Sequence, residues 1–160
     1  MKTKMNMHVK AKRIGMGLCV MAVAAITAGC AVPAKREVLS TNQIYPAIGP
    51  YSQMVAHGNV IYLSGVLPLN IAGTAVQGTT IEEQTRAVLD FIGAKLKSQG
   101  LSYEDVLSSS VYMKDLNEFA VMNRVYGEYF KVAPPARATV EVARLPRDVK
   151  IEIAVIAGRR

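Results

Sequence analysis

Two charged residues near the C-terminus, Arg137 and Glu152, have the surroundings that a small-molecule site needs. Arg137 follows Pro134-Pro135-Ala136, and the prolines restrict the backbone where the next strand begins. A guanidinium held in this way suits bidentate binding of a carboxylate. Glu152 lies inside an apolar strand, where a carboxyl group is costly unless it is paired or kept as a hydrogen-bonded acid. The pair therefore indicates carboxylate binding and proton transfer, with a structural salt bridge as the alternative.

The two strands that carry these residues are predicted from alternation. Ala138–Val142 alternates, and so does Lys150–Ala157. The same alternation places Arg137, Thr139 and Glu141 on one face of their strand. Arg137 and Glu152 would share a face if the two strands were neighbours, but the sequence leaves their register open.

The remaining elements predict an α+β fold. We expect a hairpin across Gly58-Asn59, a helix from the capping box of Thr80 and Glu83 to Gly100, a strand over Val106–Met113 and a helix over Asp115–Phe130. This order predicts a mixed β-sheet with two helices packed on one face. The other face carries Ala154 and Ile156 around Glu152, so we expect an oligomer to cover it.

Composition excludes several classes of protein and site. Residues 1–30 hold five basic side chains and no acidic ones, and the other 130 residues carry 14 basic and 12 acidic side chains. These 130 residues therefore lack the large excess of Lys and Arg that binding to nucleic-acid phosphates needs. Two cysteines and two histidines are too few for a disulfide framework, a thiolate zinc site or a multi-histidine metal site. His57 beside the Gly58-Asn59 turn is interpreted as a solvated residue, and we expect every lysine in polar surroundings.

The N-terminus has the pattern of an export signal. A basic segment to Arg13 precedes about 15 apolar residues, which is short for a membrane-spanning helix. The apolar run ends in Thr27-Ala28-Gly29-Cys30, which resembles a bacterial lipobox with Thr27 in place of the usual Leu. We therefore expect a signal peptide over 1–29, a lipidated Cys30 with a short tether over 30–37, and one domain over 38–160. Plain secretion or an uncleaved anchor is the alternative.

Several further segments, taken in order, resemble the Rid family of enamine/imine deaminases. The segments are Tyr45–Gln53, Leu63-Ser64-Gly65, Glu83-Gln84-Thr85, Val121–Tyr126, Pro135-Ala136-Arg137, Leu145-Pro146 and Ile151-Glu152-Ile153. The resemblance runs from about Glu37 to Arg160. It implies a chorismate-mutase-like fold, a homotrimer and a ligand cleft between subunits.

The resemblance also implies roles for individual residues. Arg137 matches the arginine that grips the substrate carboxylate, and Glu152 matches the acid that positions the attacking water. Tyr51 and Ser64 match residues that line the cleft, and Gly65 matches a position whose backbone approaches the ligand. Asn123 matches a residue at the edge of the cleft, and Thr139 stands where the family often has Cys. Val66 replaces a common Gln, which changes the polarity of the pocket. No metal or organic cofactor is implied.

The expected function is hydrolytic deamination of small 2-imino acids to 2-keto acids and ammonia. Export is at odds with the cytoplasmic enzymes that make most such imines, so two other hypotheses stay open. One is an envelope-tethered module that binds small carboxylates without turnover, and the other is a surface interaction role without a small ligand. Ala31 after Cys30 favours the periplasmic face of an outer membrane, and a soluble periplasmic protein is the alternative.

Overall fold

A six-stranded mixed sheet with two helices on one face makes up the part of the chain that the structure describes. The structure is a computed structural model, and it describes residues 34–159. The expected signal peptide and lipidated Cys30 lie outside these residues. The strands are β1 (Arg36–Leu39), β2 (Met54–His57), β3 (Val60–Val66), β4 (Val106–Met113), β5 (Ala136–Glu141) and β6 (Ile151–Gly158), and the helices are α1 (Ile81–Ser98) and α2 (Phe119–Tyr129).

The sheet order is β1-β2-β3-β6-β4-β5. The β4–β5 pair is parallel and the other neighbouring pairs are antiparallel. Because α2 forms the crossover between β4 and β5, this pair can be parallel although the two strands follow each other in the chain. The predicted mixed sheet and the predicted hairpin of β2 and β3 are confirmed.

Helix α1 begins at the predicted capping box. The Thr80 hydroxyl accepts a hydrogen bond from the Glu83 amide at 3.2 Å, and the Glu83 carboxylate accepts one from the Thr80 amide at 3.0 Å. The buried face of the helix includes Val88, Ile92 and Leu96, which pack against β3 and β6. Among residues 34–159, no helix is long and apolar enough to cross a membrane.

The second predicted helix begins later than expected. A 3-10 turn occupies Leu116–Glu118, capped by the Asp115 side chain, and α2 starts at Phe119. Leu116 in this turn and Phe119 at the start of α2 are 40% and 38% exposed. The buried residues of α2 are Met122, Val125 and Tyr126.

Strand β1 lies partly in the segment that we expected to be a tether. It pairs with β2, and three of its four residues are exposed. An exposed edge strand buries too little of either face to show alternation, so the sequence pattern did not indicate it.

The two faces of the sheet differ in their cover. One face packs against α1, and its side chains include Ile61, Leu63, Val111, Ile153 and Val155. No helix within residues 34–159 covers the other face, and its side chains are half-buried or exposed: Tyr62, Ser110, Tyr112, Glu152, Ala154 and Ile156. Glu152 therefore belongs to the helix-free face.

Candidate functional site

Glu152 lies in a cavity of about 390 Å³ on the helix-free face, which we call the Glu152 cavity. Three of the predicted ligand contacts, Tyr51, Ser64 and Gly65, line it with the carboxyl group. Its remaining wall is formed by residues that were not predicted as ligand contacts: Ile48, Leu67 and Pro146. The structure therefore brings together four of the seven predicted catalytic and ligand-binding residues.

A β-bulge in β3 forms the floor of this cavity. Leu63 pairs with Val155 and Val66 pairs with Ile153, so Ser64 and Gly65 together lie opposite a single residue of β6. A bulge of this kind redirects side chains at the end of a strand. The Ser64 hydroxyl donates to the Ser52 carbonyl at 2.6 Å, which ties the bulge to the segment before β2.

Gly65 leaves the space that the Glu152 side chain occupies. A Cβ atom built on Gly65 would lie 2.8 Å from the Glu152 Cδ, which is closer than real side chains approach. The glycine was expected to let its backbone approach a ligand. Within the protomer, the group that makes the close approach is the Glu152 carboxyl.

The Glu152 carboxyl has no hydrogen-bond or ion-pair partner within residues 34–159. It is half-buried, and this burial raises its pKa. A raised pKa makes a carboxyl group a stronger proton acceptor, which suits it to act as a general acid or base. The carboxyl is thus free to act on a ligand in the cavity.

Two tyrosines bond to residues of the cavity wall. The Tyr51 hydroxyl accepts a hydrogen bond from the Ile48 amide at 3.2 Å, and Tyr51 is 41% exposed. Tyr45 is buried, and its hydroxyl accepts from the Leu67 amide at 2.8 Å. Burial raises the pKa of Tyr45 to about 12. Tyr45 is thus a neutral group that supports Leu67 of the cavity wall, and sequence analysis assigned it no individual role.

Arg137 lies in a second concavity of about 380 Å³, which we call the Arg137 groove. Its guanidinium donates to the Asn123 side-chain oxygen at 2.6 Å and lies 4.4 Å from the Tyr126 ring centre. Pro134 and Pro135 line the groove beside it, as the expected rigid strand entry requires. The hydrogen bond leaves other guanidinium donors for a ligand.

Sequence reasoning missed the aromatic support beneath Arg137. The guanidinium carbon lies 5.9 Å from the Phe119 ring centre in addition to its contact with Tyr126. Such cation–π contacts hold a guanidinium in place and suit arginine better than lysine. The signal was present in the spacing, since Phe119, Asn123 and Tyr126 recur at helical intervals along one face of α2.

Thr139 stands on the same face of β5 as Arg137. The two residues pair in register with Val111 and Ser109 of β4, whose side chains are buried on the helix side of the sheet. The Thr139 hydroxyl is buried and has no hydrogen-bond partner among the residues that the structure describes. Thr139 lines neither the Arg137 groove nor the Glu152 cavity, so the structure does not bring this predicted ligand contact to either of them.

Arg137 and Glu152 lie on opposite faces of the sheet. The sequence had left open whether they share a face, because the register of their strands was not known. Strand β4 separates their strands, with Ser109 beside Arg137 and Tyr112 beside Glu152. Ser109 and Tyr112 are three positions apart on β4, so their side chains point to opposite faces. Arg137 and Glu152 therefore form no salt bridge within one protomer, and the alternative of a structural salt bridge between them is not realised there.

One lysine contradicts the expectation that every lysine has polar surroundings. Lys95 of α1 is 2% exposed, and its ammonium donates to the Ser64 carbonyl at 3.2 Å. Burial lowers its pKa to about 8. The spacing of Val88, Ile92 and Lys95 by four and three positions is the sequence signal that indicates the buried face of α1 for this lysine. His57, in contrast, is exposed at the end of β2, as expected.

Comparisons with known proteins identify the family. The family model described as Endoribonuclease L-PSP matches residues 41–158. A RutC family protein of Saccharolobus solfataricus is 48% identical over 124 residues, which cover 78% of this chain and 98% of the relative. A 2-iminobutanoate/2-iminopropanoate deaminase of Escherichia coli is 42% identical over 127 residues, again covering 78% of this chain and 98% of the relative.

Solved structures support the same assignment. The crystal structure of Escherichia coli TdcF with bound serine has a TM-score of 0.73 and 36% sequence identity, and the match covers 78% of this chain and 99% of that one. The mixed sheet with two helices is thus the chorismate-mutase-like fold that the sequence led us to expect. The chain belongs to the Endoribonuclease L-PSP family, the Rid/RutC family of YjgF/RidA-type proteins.

Proposed function

We propose that the protein hydrolyses small 2-imino acids, formed from 2-enamines such as 2-aminoacrylate, to 2-keto acids and ammonia. One observation carries this proposal: Glu152 is a half-buried carboxyl group, without a hydrogen-bond partner in residues 34–159, at the wall of a cavity that holds Tyr51 and Ser64. The 42% sequence identity with a deaminase of 2-iminobutanoate and 2-iminopropanoate supports the same substrate class.

The chemistry needs one acid–base group and one anchor. Glu152 takes a proton from water as the water oxygen bonds to the imine carbon, and it passes this proton to the imine nitrogen to give a tetrahedral adduct with one hydroxyl and one amino group. The hydroxyl proton then moves through Glu152 to the amino nitrogen, the C–N bond breaks and ammonia leaves as the carbonyl forms. The balance is imine plus water to 2-keto acid plus ammonia. Arg137 binds the carboxylate with two parallel N–H donors and fixes the imine carbon near Glu152.

A complete site requires two copies of the chain. In one protomer the Glu152 cavity and the Arg137 groove lie on opposite faces of the sheet. We propose that a homotrimer places the Arg137 groove of one subunit against the Glu152 cavity of the next. This arrangement would also cover Ala154 and Ile156 on the helix-free face.

A binding role without turnover is the second candidate function. The TdcF relative was solved with bound serine, a small amino acid that is not an imine. The same Arg137 groove would hold the carboxylate of such a ligand. Ammonia release distinguishes the two candidates, because a binding module produces none.

We also propose that Cys30 anchors the protein by a lipid to the cell envelope, on the periplasmic face of an outer membrane. The support is the short apolar run that ends in Ala28-Gly29-Cys30. A soluble periplasmic form is the alternative. Under either proposal the substrate reaches the site from outside the cytoplasm.

The test of the reaction is 2-iminopropanoate hydrolysis above the spontaneous rate. We expect the wild-type chain to release ammonia and Glu152→Gln to bind pyruvate normally while turnover falls by about 100-fold or more. Because burial raises the pKa of Glu152, the neutral amide should also melt no earlier than the wild type at pH 7. Normal rates in Glu152→Gln would remove this carboxyl from the reaction.

A further inference from the structure

Lys95 lies directly behind the Glu152 cavity, on the other side of the sheet. It projects from α1, and its ammonium donates to the carbonyl of Ser64, the first residue of the β-bulge. This is the one hydrogen bond of the ammonium within residues 34–159. A buried cation with a single partner is costly to keep, so a purely structural role explains it poorly.

The peptide bond that Lys95 contacts has its other end at the cavity. The Ser64 carbonyl and the Gly65 N–H belong to the same peptide group, and no peptide in the described chain is cis. In a trans peptide the C=O and N–H point in opposite directions. Since the carbonyl points to Lys95 on the helix side, the Gly65 N–H points to the helix-free face, where Gly65 lines the Glu152 cavity.

We propose that Lys95 is a positioning residue, whose ammonium holds and polarises the Ser64–Gly65 peptide. The Gly65 N–H then becomes a stronger hydrogen-bond donor to an anionic ligand oxygen in the Glu152 cavity. A positive charge at the carbonyl strengthens the N–H of the same peptide, in the way that hydrogen bonds in a chain polarise one another. The inference rests on the proposed function for its ligand class, a small carboxylate.

No charged group within residues 34–159 pairs with Lys95. Burial is the sole cause of its lowered pKa. The titratable groups on the packed strands are Tyr62 and Glu152, both on the helix-free face, and His57, exposed at the end of β2. The charged groups of α1 have their own partners or are exposed. Glu82 pairs with Arg86 and Arg124, Glu83 bonds to Thr79 and Thr80, Asp90 bonds to Tyr129, and Lys97 is exposed. The hydroxyl of Tyr45 bonds to Leu67, and that of half-buried Tyr103 bonds to Leu89.

The experiment measures pyruvate binding by the full chain from pH 6.5 to 9.5, by calorimetry at constant ionic strength. Pyruvate stays an anion throughout this range, so its own titration does not intervene. We expect wild-type affinity to fall roughly three- to tenfold with a midpoint near pH 8. Lys95→Met should bind weakly and without this pH dependence, at the level of the alkaline wild type.

Two further variants separate charge from packing. Lys97→Met, which removes an exposed lysine two positions along α1, should follow the wild-type curve. Lys95→Arg, which stays charged at all these pH values, should keep tight binding at pH 9.5. Melting curves show whether each variant folds, and we expect Lys95→Met to melt no earlier than the wild type at pH 7.

The outcomes also separate this inference from the proposed reaction. An unchanged pH dependence in Lys95→Met overturns the positioning role, even if the wild type hydrolyses imines. An early-melting Lys95→Met with the wild-type pH dependence shows a structural role only. A wild type that binds pyruvate with the expected midpoint but releases no ammonia overturns the deaminase proposal and supports the role of Lys95.

Discussion

The carboxyl group of Glu152 occupies the space where a side chain on Gly65 would lie, with its Cδ 2.8 Å from the Cβ position of that residue. Gly65 has no positive φ, so alanine would fit its backbone conformation and only the collision matters. We expect Gly65→Ala to displace Glu152, to lower imine hydrolysis by about tenfold or more, and to lower the free energy of unfolding by about 1–3 kcal/mol. Denaturant titration and turnover measure the two effects.

A double-mutant cycle assigns this loss to the collision. With Glu152→Ala present, Gly65→Ala should lower the free energy of unfolding by less than about 0.5 kcal/mol, because the clashing group is gone. Gly127→Ala is a stability control, since a Cβ at this position in α2 meets nothing within 4 Å. It should stabilise the protein by about 0.5–1 kcal/mol. An equal loss in both Glu152 backgrounds would show that Gly65 matters for another reason.

Arg137 should not be replaceable by lysine. Its guanidinium donates to Asn123 and lies over Tyr126, and a lysine ammonium cannot keep both contacts while presenting two parallel donors. We expect kcat/KM of Arg137→Lys to fall by about 10- to 100-fold, with a melting temperature close to that of the wild type because the residue is exposed. Arg86→Lys, in an ion pair with Glu128 on the helices, is the control and should retain activity.

A structural role for Arg137 predicts a different result. If its contacts mainly hold β5 to α2, Arg137→Lys and Arg137→Ala should both melt early and lose activity in proportion to the unfolded fraction. Imine hydrolysis measured beside thermal melts separates the two interpretations.

Stability should rise with pH around pH 8 because of Lys95. Its pKa is about 8 in the folded protein against 10.5 when exposed, so between these values the unfolded chain binds more protons. The free energy of unfolding should therefore increase from pH 8 toward pH 10.5, by up to about 3 kcal/mol. Urea titrations at pH 7 to 9.5 measure most of this rise and avoid tyrosine ionisation. Lys95→Met should be more stable at pH 7 and should lack the rise, whereas a parallel rise in both proteins would contradict the assignment.

The sequence predicted the elements whose side chains alternate between two different environments. Strand β4 has the predicted bounds, Val106–Met113, because its buried and half-buried residues alternate along most of its length. Glu152 was identified as a functional candidate for a related reason, since a carboxyl group inside an apolar strand breaks an otherwise regular pattern. These features depend on local sequence alone.

What the sequence could not predict depends on contacts between distant segments. The sheet order that inserts β4 between β5 and β6 follows from the crossover through α2 and the return of β6 to the middle of the sheet. This order decides that Arg137 and Glu152 lie on opposite faces. The hydrogen bond from Lys95 to Ser64 also joins residues 31 positions apart. It was not predicted, because every lysine was expected in polar surroundings.

The proposed lipid anchor predicts a covalent change at Cys30. Mass spectrometry of the mature protein should find an N-terminal Cys30 that carries acyl chains, and labelled fatty acid should be incorporated in the wild type but not in Cys30→Ser. Fractionation should then release Cys30→Ser from the membrane, while Cys19→Ser remains bound because its residue leaves with the signal peptide. A wild type without lipid, found in the same soluble fraction as Cys30→Ser, would contradict the anchor.

The most direct test of the shared site is activity restored by mixing two inactive variants. Arg137→Ala and Glu152→Gln are unfolded together, refolded together at equal concentration and assayed for 2-iminopropanoate hydrolysis. In a trimer whose sites each use Arg137 of one subunit and Glu152 of the next, about a quarter of the sites carry both native residues, so about a quarter of wild-type activity should return. Each variant refolded alone should stay inactive, and light scattering should show trimers in every sample. A mixture as inactive as its components, or a stable active monomer, would contradict a site built from two subunits.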